Sequence, residues 1–163
     1  MLDSVKIADE LWDMADEKPD TILHRAVQRI HNAGSPFDWV GIYLHAGGHL
    51  ILHSFIGRST ELTRIPIGQS VAGRAVAEDR DLNVPDVEVF VDYLVRNPVT
   101  RSELVVLVKY DGRVLGVIDI ESDSSAAFGA DDERGLRVIA DVLGEALGSR
   151  LRVPDGESSG MTP

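Results

Sequence analysis

No cysteine occurs among the 163 residues of the chain. Disulfide bonds, thiol nucleophiles, thiolate metal ligands and redox sensing through sulfur are therefore excluded. Long hydrophobic runs are also missing, because no apolar stretch approaches the ~20 residues that span a bilayer. The sequence does not begin with a basic segment followed by an apolar run. We therefore expect a cytoplasmic location and no membrane partner.

Positive charge is scarce, since 16 basic residues stand against 27 acidic ones and the formal net charge is −11. Binding to nucleic acid requires a concentrated positive field, so we expect no nucleic-acid partner. Hydrophobic residues make up 44% of the sequence and charged residues 26%, which is ordinary for a folded globular protein. The length suits one domain with a genuine core, because roughly 100 to 200 residues per domain is usual.

Four helices are predicted from apolar residues at helical spacing. The first follows Ser4, which is available as its N-cap, and the second begins near Asp20 and ends before Gly34. A short third helix is predicted with Ser70 as its cap. The fourth begins near Ala130, where three acidic residues favour the positive end of a helix dipole.

Strands are predicted in two hairpins. From Phe37 the side chains alternate between two faces with a period of two residues, which is typical of a strand. "AGGH" is predicted to form a turn, and "HLILHSF" to form the second strand of this hairpin. The segments "ELVVLVKY" and "RVLGVIDIES" flank Asp-Gly, which is a strong turn signal. Between the hairpins lies a long irregular region with a short strand near residues 82–84, and long loops inside compact domains are more often functional than idle. Hairpin strands with helices gathered at the ends imply an antiparallel sheet in an α+β domain.

The predicted organisation is an N-terminal helix in residues 1–19, the principal domain in residues 20–150 and a disordered tail in residues 151–163. The terminal helices are expected on one face of the sheet. The short helix and the long loop are expected on the other face, which leaves space there for a pocket.

Two strands carry chemically distinctive side chains at alternating positions. Trp39 and Tyr43 share one face of the first strand, and Asp119 and Glu121 share one face of the last, together with Leu115. If the aliphatic faces of both strands meet the helices, the aromatic and acidic pairs form a pocket suited to an ammonium group. The other interpretation keeps the aromatic residues in the core and leaves the acids in water.

The remaining motifs predict no catalytic residue, no metal site and no cofactor. His45, His49 and His53 surround one hairpin, but a turn separates the first two and no carboxylate lies at ligand spacing. The segment "GQSVAG" is not a G-x-S-x-G elbow, because an extra residue separates Ser70 from Gly73. No glycine-rich phosphate motif of the Walker or dinucleotide type occurs.

Four segments together resemble a GAF domain: "FDWVGIYL", "RIPIGQSVAGRAVAEDRDLNVPDV", "SELVVLVKYDGRVLGVIDIES" and "FGADDERGLRVIADVL". The resemblance covers about residues 20 to 150. It is closest to the free methionine-(R)-sulfoxide reductases, which are single-domain GAF enzymes acting on the free amino acid. It implies a GAF-like central antiparallel sheet, with N- and C-terminal helices on one face and a covered pocket on the other.

The resemblance also implies a set of ligand-binding residues. The pocket of the family has a Trp and a Tyr on its first strand, which fall on Trp39 and Tyr43. A Glu of the "SE" motif falls on Glu103, and two acids of the following strand fall on Asp119 and Glu121. The second of these is a Glu where the family usually has Asp. The polar half of the family's site is thus expected to be retained.

The reacting half of that site is absent. The cysteines of the family fall on Leu62, Ala72 and Arg96. Without a thiol no sulfenic acid or disulfide can form, so sulfoxide reduction by the family mechanism is excluded. We therefore expect a small-molecule-binding sensor or regulatory module rather than an enzyme. Its acidic residues would hold the ammonium group of an amino acid or similar zwitterion, and Arg96 would meet the carboxylate.

Two alternatives remain open. The first is a homodimeric interaction module with a vestigial pocket that regulates a separate signalling protein, because many GAF domains pair through their terminal helices. The second is a cysteine-independent enzyme that uses Asp119 or Glu121 as a base, for which no nucleophile can be named. Cyclic-nucleotide binding, known in other GAF domains, lacks an identifiable phosphate site, although four arginines lie in the relevant region: Arg58, Arg74, Arg96 and Arg101.

Overall fold

The computed structural model describes residues 1–90 and 98–151, and all elements named below lie in these ranges. Within them, six strands form one antiparallel sheet in the order β3-β2-β1-β6-β5-β4. The strands are β1 (Trp39–Ala46), β2 (His49–Ile56), β3 (Arg64–Pro66), β4 (Leu82–Val84), β5 (Ser102–Tyr110) and β6 (Arg113–Ser122). The helices are α1 (Ser4–Asp13), α2 (Pro19–His31), α3 (Ser70–Glu78) and α4 (Ala130–Leu147), with a 3₁₀ turn at Val87–Val89. The predicted α+β architecture is confirmed.

Helices α1, α2 and α4 cover one face of the sheet. Each presents an apolar stripe at helical spacing, and the stripes form one buried cluster with Val40 and Ile42 of β1 and Ile118 and Ile120 of β6. Full burial of one such side chain is worth about 1.5–3 kcal/mol, so this layer is a major source of stability. The prediction that the terminal helices share one face is confirmed.

The beginnings of these helices depend on their flanking residues. Asp3, rather than the predicted Ser4, is the N-cap of α1, because its carboxylate accepts a hydrogen bond from the Lys6 amide at 3.1 Å. Pro19 begins α2 without the loss of a backbone hydrogen bond, since amides in the first turn have no partner within the helix. At the start of α4, the Asp132 carboxylate accepts a hydrogen bond from the Gly129 amide at 2.9 Å.

Helix α3 lies on the opposite face of the sheet. Its buried stripe packs against β5 and β6 in a second cluster that includes Val71, Ala72, Ala75, Val105 and Val117. The predicted capping role of Ser70 is wrong, because Gln69 is the N-cap and Ser70 is the first residue of the helix. Ser70 is buried with a φ of +59°, whereas an N-cap residue needs an extended backbone.

Both hairpins are confirmed. Strands β1 and β2 pair around the turn between Ala46 and His49. Strands β5 and β6 pair around Asp111 and Gly112, whose φ values are +50° and +75°. Positive φ at both central residues defines the type I′ turn, whose twist matches that of the flanking strands.

A β-bulge changes the predicted face of Leu115. Val108 pairs with Gly116 and Lys109 pairs with Val114, so Leu115 is an extra residue on β6. Leu115 packs in the helix-side cluster and Val114 packs on the α3 side. The prediction that Leu115 shares the face of Asp119 is therefore wrong, because one extra residue reverses the alternation of side chains.

Strand β3 lies in a segment whose pattern predicts no strand. Three residues are too few to establish a period, and Pro66 is accommodated because β3 is the edge of the sheet. The short strand predicted near residues 82–84 is present as β4. Residues 152–163 lie outside the described residues, so the disordered tail and the boundaries at 19/20 and 150/151 stay predictions. No helix in the described part of the chain is long and apolar enough to cross a membrane.

We expect Gly144→Ala to lower the free energy of unfolding by about 1–3 kcal/mol. A Cβ at this position of α4 would overlap the backbone carbonyl oxygen of Lys109 on β5, so the helix would have to move away from the sheet. Urea unfolding measures the change. Gly135→Ala in the same helix is the control, because the nearest atom there belongs to the side chain of Ser4 at 3.2 Å. Equal effects of the two substitutions would contradict this packing.

Candidate ligand site

The register of three adjacent strands brings the predicted site residues together. Trp39 on β1 pairs with Glu121 on β6, and Glu121 pairs with Glu103 on β5. In the next row, Asp119 lies between Gly41 and Val105. Side chains directly opposite each other in such a sheet have Cβ atoms about 4.5–5.5 Å apart. The register therefore gathers one indole and three carboxyl groups in a small area of the sheet.

Gly41 makes room for the indole of Trp39. A Cβ at Gly41 would overlap the six-membered ring of Trp39, so that ring lies across the glycine backbone. Asp119 is the neighbour of Gly41 on β6. The indole is thereby held above the row that contains Asp119, and any larger residue at position 41 would displace it.

Trp39 is fixed by three contacts. Its Nε1 donates a hydrogen bond to the carbonyl oxygen of Arg58 at 3.1 Å. Its rings stack on Phe55 of β2, with centroids 5.8 Å apart and planes at 19°. They also contact Tyr43, with centroids 6.4 Å apart. Aromatic pairs of this geometry add about 0.5–1.5 kcal/mol beyond the area they bury. Trp39 therefore forms a rigid wall rather than a mobile one.

Tyr43 forms the second aromatic wall and stays neutral. It is 1% exposed, and its hydroxyl donates a hydrogen bond to the carbonyl oxygen of Leu62 at 2.7 Å. Burial raises the pKa of the Tyr43 hydroxyl far above its ordinary value, and the charges of Asp119, Glu121 and Glu103 raise it further. Tyr43 therefore contributes a ring and a hydrogen bond, not a base.

Asp119 is the most unusual residue on this face. It is 4% exposed, and Glu103, which shares this face on the neighbouring strand β5, is 2% exposed. Its Oδ1 is buried and has no hydrogen-bond partner among the described residues. Burial, the charge and hydrogen bond of Glu103, and the charge of Glu121 raise the pKa of Asp119 well above its ordinary value. The interpretation that leaves this acid in water is therefore wrong.

The raised pKa makes the stability of the free protein depend on pH. The folded chain keeps a proton that the unfolded chain has released above a pKa of about 3.9, so stability falls as pH rises through this window. We expect the free energy of unfolding, relative to that of Asp119→Asn, to fall by up to about 1.4 kcal/mol per pH unit. Above the folded-state pKa the difference becomes constant. Urea unfolding across pH measures it, and a constant difference at every pH would refute the shift.

The loop between β2 and β3 completes the aromatic half of the site. The backbone carbonyl oxygens of Arg58 and Leu62 accept hydrogen bonds from the side chains of Trp39 and Tyr43. These two bonds attach the loop to β1. The guanidinium of Arg58 also pairs with Asp123, just beyond the end of β6. The sequence does not predict these contacts, because any residue can supply a carbonyl. Phe55 was missed as well, because it lies opposite Gly41 only through the register shift between Ile42 and Tyr43 in the first hairpin.

The three positions where the resemblance places cysteines can be located in part. Leu62 packs against the cluster that contains Tyr43, and Ala72 is buried within that cluster on α3. Both therefore lie in the apolar cluster on the α3 side of the sheet. Arg96 lies outside the described residues, so its predicted contact with a ligand carboxylate stays a prediction.

The other arginines of this region carry ion pairs. Arg74 pairs with Glu78 on α3 at 3.2 Å, and Arg101 pairs with Glu88 at 3.0 Å. Arg74 also lies over the ring of Phe90, 5.7 Å from its centroid.

Two of the histidines near the first hairpin make ordinary polar contacts. The Nε2 of His53 lies 2.7 Å from a carboxylate oxygen of Asp20, and the Nδ1 of His45 lies 3.2 Å from the carbonyl oxygen of Val114. Within residues 1–90 and 98–151, no group of three or more His, Asp or Glu side chains is placed to hold a metal ion. A separate cavity of about 450 Å³ lies between α2 and β2, on the helix side of the sheet, and is bordered by His24, Gln28 and Ser54.

Comparison with known proteins places this geometry in a family. The profile of the GAF domain matches residues 18–147. Protein ZMO0507 of Zymomonas mobilis is 36% identical over 141 residues, which cover 85% of this chain and 87% of the relative. The chain therefore belongs to the GAF domain family, and the fold expected from the resemblance is confirmed.

Within that family the chain is similar to free methionine-R-sulfoxide reductases. The Escherichia coli enzyme is 34% identical over 110 residues, which cover 68% of this chain and 66% of that protein. The structure of the Neisseria meningitidis enzyme in complex with its substrate matches with a TM-score of 0.81 at 29% identity, covering 90% of this chain and 89% of that one. The present chain has the fold of these reductases and no cysteine.

Proposed function

We propose that this chain is a small-molecule-binding GAF module, a sensor or regulator, and that its ligand is an amino acid or a similar zwitterion. The ammonium group lies against Glu103, Asp119 and Glu121, with Trp39 and Tyr43 as the walls. The observation that carries the proposal is the buried Oδ1 of Asp119, which has no partner among the described residues.

The burial of the acids argues for a bound donor. A buried polar group without a hydrogen bond costs about 1–3 kcal/mol, and more when it is charged, so native proteins rarely leave one unsatisfied. Asp119 and Glu103 are both buried on the same face as Trp39 and Tyr43. A ligand that brings N–H donors and a positive charge removes this cost.

The aromatic walls fit the same ligand. The faces of Trp and Tyr rings attract cations, by about 0.5–2 kcal/mol depending on desolvation. Trp39 is held beside Glu121 and Asp119 by its place over Gly41 and by its hydrogen bond to the carbonyl oxygen of Arg58. The similar reductase of Neisseria meningitidis has been seen in complex with its substrate, which supports an amino-acid ligand. For the other end of the zwitterion we propose Arg96.

The residues at two of the family's cysteine positions argue against reductase chemistry. Leu62 and Ala72 have apolar side chains that can neither attack a sulfoxide nor be oxidised to a disulfide. A ligand bound beside them stays unchanged, as a regulatory ligand does. We therefore propose binding without turnover.

Calorimetric titration against a panel of L-amino acids that includes methionine and methionine (R)-sulfoxide tests the proposal. We expect saturable binding of at least one member, and no loss of methionine sulfoxide after incubation with dithiothreitol. If every panel member at saturating concentration produced neither heat nor a thermal shift, the proposal would be wrong. Turnover of the sulfoxide would refute the regulatory role.

A second function has its own supporting observation on the helix layer. Val5 and Trp12, seven residues apart on α1, are 64% and 54% exposed, and Val138 on the neighbouring α4 is 41% exposed. Large exposed apolar side chains on two adjacent helices suit a contact with a second copy of the chain. The alternative proposal is a homodimer that regulates a signalling protein through these helices. Sedimentation equilibrium tests it: we expect a dimer that Trp12→Ser converts to monomer, and a monomeric wild type would exclude it.

A further inference from the structure

A β-bulge in the first hairpin brings two adjacent residues of β2 to the same face of the sheet. Ile42 of β1 pairs with Ser54, and the next residue of β1 pairs with Leu52. His53 is therefore an extra residue on β2. Adjacent residues of a regular strand point to opposite faces. Here Ser54 lies on the helix side together with Ile42, and His53 reaches the same side, where it contacts α2.

Hydrogen bonds connect Asp20, His53 and Ser54 in series. The Nε2 of His53 lies 2.7 Å from Oδ1 of Asp20, and its Nδ1 lies 3.2 Å from Oγ of Ser54. A carboxylate only accepts hydrogen bonds, and the bond to His53 lowers the pKa of Asp20 below its ordinary value. Nε2 therefore carries the proton, which leaves Nδ1 of the neutral ring as the acceptor for the Ser54 hydroxyl. A serine bonded to a histidine that an acid orients is the arrangement that activates a serine nucleophile.

The cavity between α2 and β2 gives this serine room for a substrate. Its volume of about 450 Å³ is within the range of small-molecule sites, and Ser54 borders it together with the apolar Ile56. Thr21, Arg25 and Gln28 also border it, and their O–H or N–H groups can donate to the oxyanion of an acyl-transfer intermediate. None of the described residues that line the cavity is acidic, which favours a neutral or anionic substrate over a cationic one.

We propose that Ser54, His53 and Asp20 form a serine hydrolase centre that cleaves small neutral or anionic esters in this cavity. The proposal is independent of the proposed function, because the cavity lies on the helix side of the sheet and the candidate ligand site lies on the α3 side.

Ester cleavage at this centre takes two steps. Ser54 Oγ attacks the ester carbonyl carbon while its proton passes to Nδ1 of His53; the bond to the leaving alcohol then breaks, and the alcohol takes that proton. In the second step water attacks the acyl-serine, again with proton transfer through His53, which releases the carboxylic acid and restores the Ser54 hydroxyl. Asp20, whose side chain is 81% exposed, keeps the proton on Nε2 and orients the ring, so it is a positioning residue.

Hydrolysis of p-nitrophenyl acetate by the full chain tests the proposal. We expect saturable turnover that Ser54→Ala and His53→Gln each lower by at least about 100-fold. Asp20→Asn is expected to lower kcat and to leave KM unchanged. The matched controls are Ser59→Ala, at an exposed loop position, and His49→Gln, elsewhere on β2, and both are expected to keep full activity. Unchanged turnover in Ser54→Ala would overturn the proposal.

Labelling with diisopropyl fluorophosphate tests the nucleophile in the wild-type chain, without any variant. The serine oxygen displaces fluoride and forms a bond to phosphorus, so mass spectrometry of a proteolytic digest locates the adduct. We expect one adduct, on the peptide that contains Ser54, and slower labelling of His53→Gln. A wild-type chain that stays unlabelled, or that is labelled only at other residues, would overturn the proposal whether or not the variants fold.

Discussion

Asp119→Asn is expected to weaken the binding of an ammonium-bearing amino acid by about 100-fold, equivalent to about 2.7 kcal/mol. The substitution removes a negative charge next to the ligand cation and replaces the carboxylate with an amide. The amide mimics the protonated form of Asp119, which binds no cation. Titration calorimetry of the wild type and the variant at the same pH measures the difference.

Two controls separate this effect from a loss of structure. Asp9→Asn makes the same change of charge at an exposed position on α1 and is expected to leave the affinity unchanged. Asp119→Asn itself is expected to stabilise the free protein above pH ~4, because it removes a buried group whose ionised form is disfavoured. Unchanged affinity in this variant would mean that Asp119 does not bind the ligand.

Trp39→Ala is expected to lower the free energy of unfolding by about 3–5 kcal/mol. The side chain is 6% exposed, covers Gly41, stacks on Phe55 and anchors the loop through Arg58. Its removal leaves a cavity on the sheet face and frees the loop at one of its two attachment points. Urea unfolding monitored by circular dichroism measures the change.

A more conservative substitution tests the cause of this decrease in the free energy of unfolding. Trp39→Phe keeps an aromatic ring but cannot donate to the carbonyl of Arg58, and it is expected to cost about half as much or less. Val89→Ala, at a position that is 74% exposed, is expected to change stability by less than about 0.5 kcal/mol. A Trp39→Ala effect as small as that of Val89→Ala would show that the indole is not a fixed wall.

Much of this fold follows from the spacing at which apolar residues recur along the sequence. The alternation in β1 places Val40 and Ile42 toward the helices and Trp39 and Tyr43 away from them, because one strand has only two faces. Asp-Gly between apolar runs is sufficient to predict the second hairpin. Once β1 and β6 are neighbours, the aromatic and acidic pairs must meet on the face opposite the terminal helices.

Other features could not be predicted, since they depend on contacts distant in sequence. The bulge at Leu115 reflects how β6 fits β5, and nothing in "GRVLGV" marks the extra residue. The left-handed backbone of Ser70, at the first residue of α3, has no signal in the sequence, since serine rarely adopts a positive φ. The hydrogen bonds of Trp39 and Tyr43 to the loop end on backbone carbonyl oxygens. Because every residue has such a carbonyl, the sequence does not indicate which ones accept these bonds.

The acidic pair shows the same limit within the site. From β6 alone, Asp119 and Glu121 have two interpretations, a solvated face or a pocket. Only the neighbouring strands decide between them. With Gly41 under an indole on one side and Glu103 on the other, Asp119 is buried and its Oδ1 is unsatisfied among the described residues.

A crystal structure of the chain soaked with the tightest-binding amino acid of the panel tests the central claim most directly. The account predicts a ligand ammonium within hydrogen-bond distance of Asp119 Oδ1 and beside the rings of Trp39 and Tyr43. A saturated crystal in which the ligand lies elsewhere, for instance in the cavity between α2 and β2 near His24 and Ser54, with this face unoccupied, would contradict it.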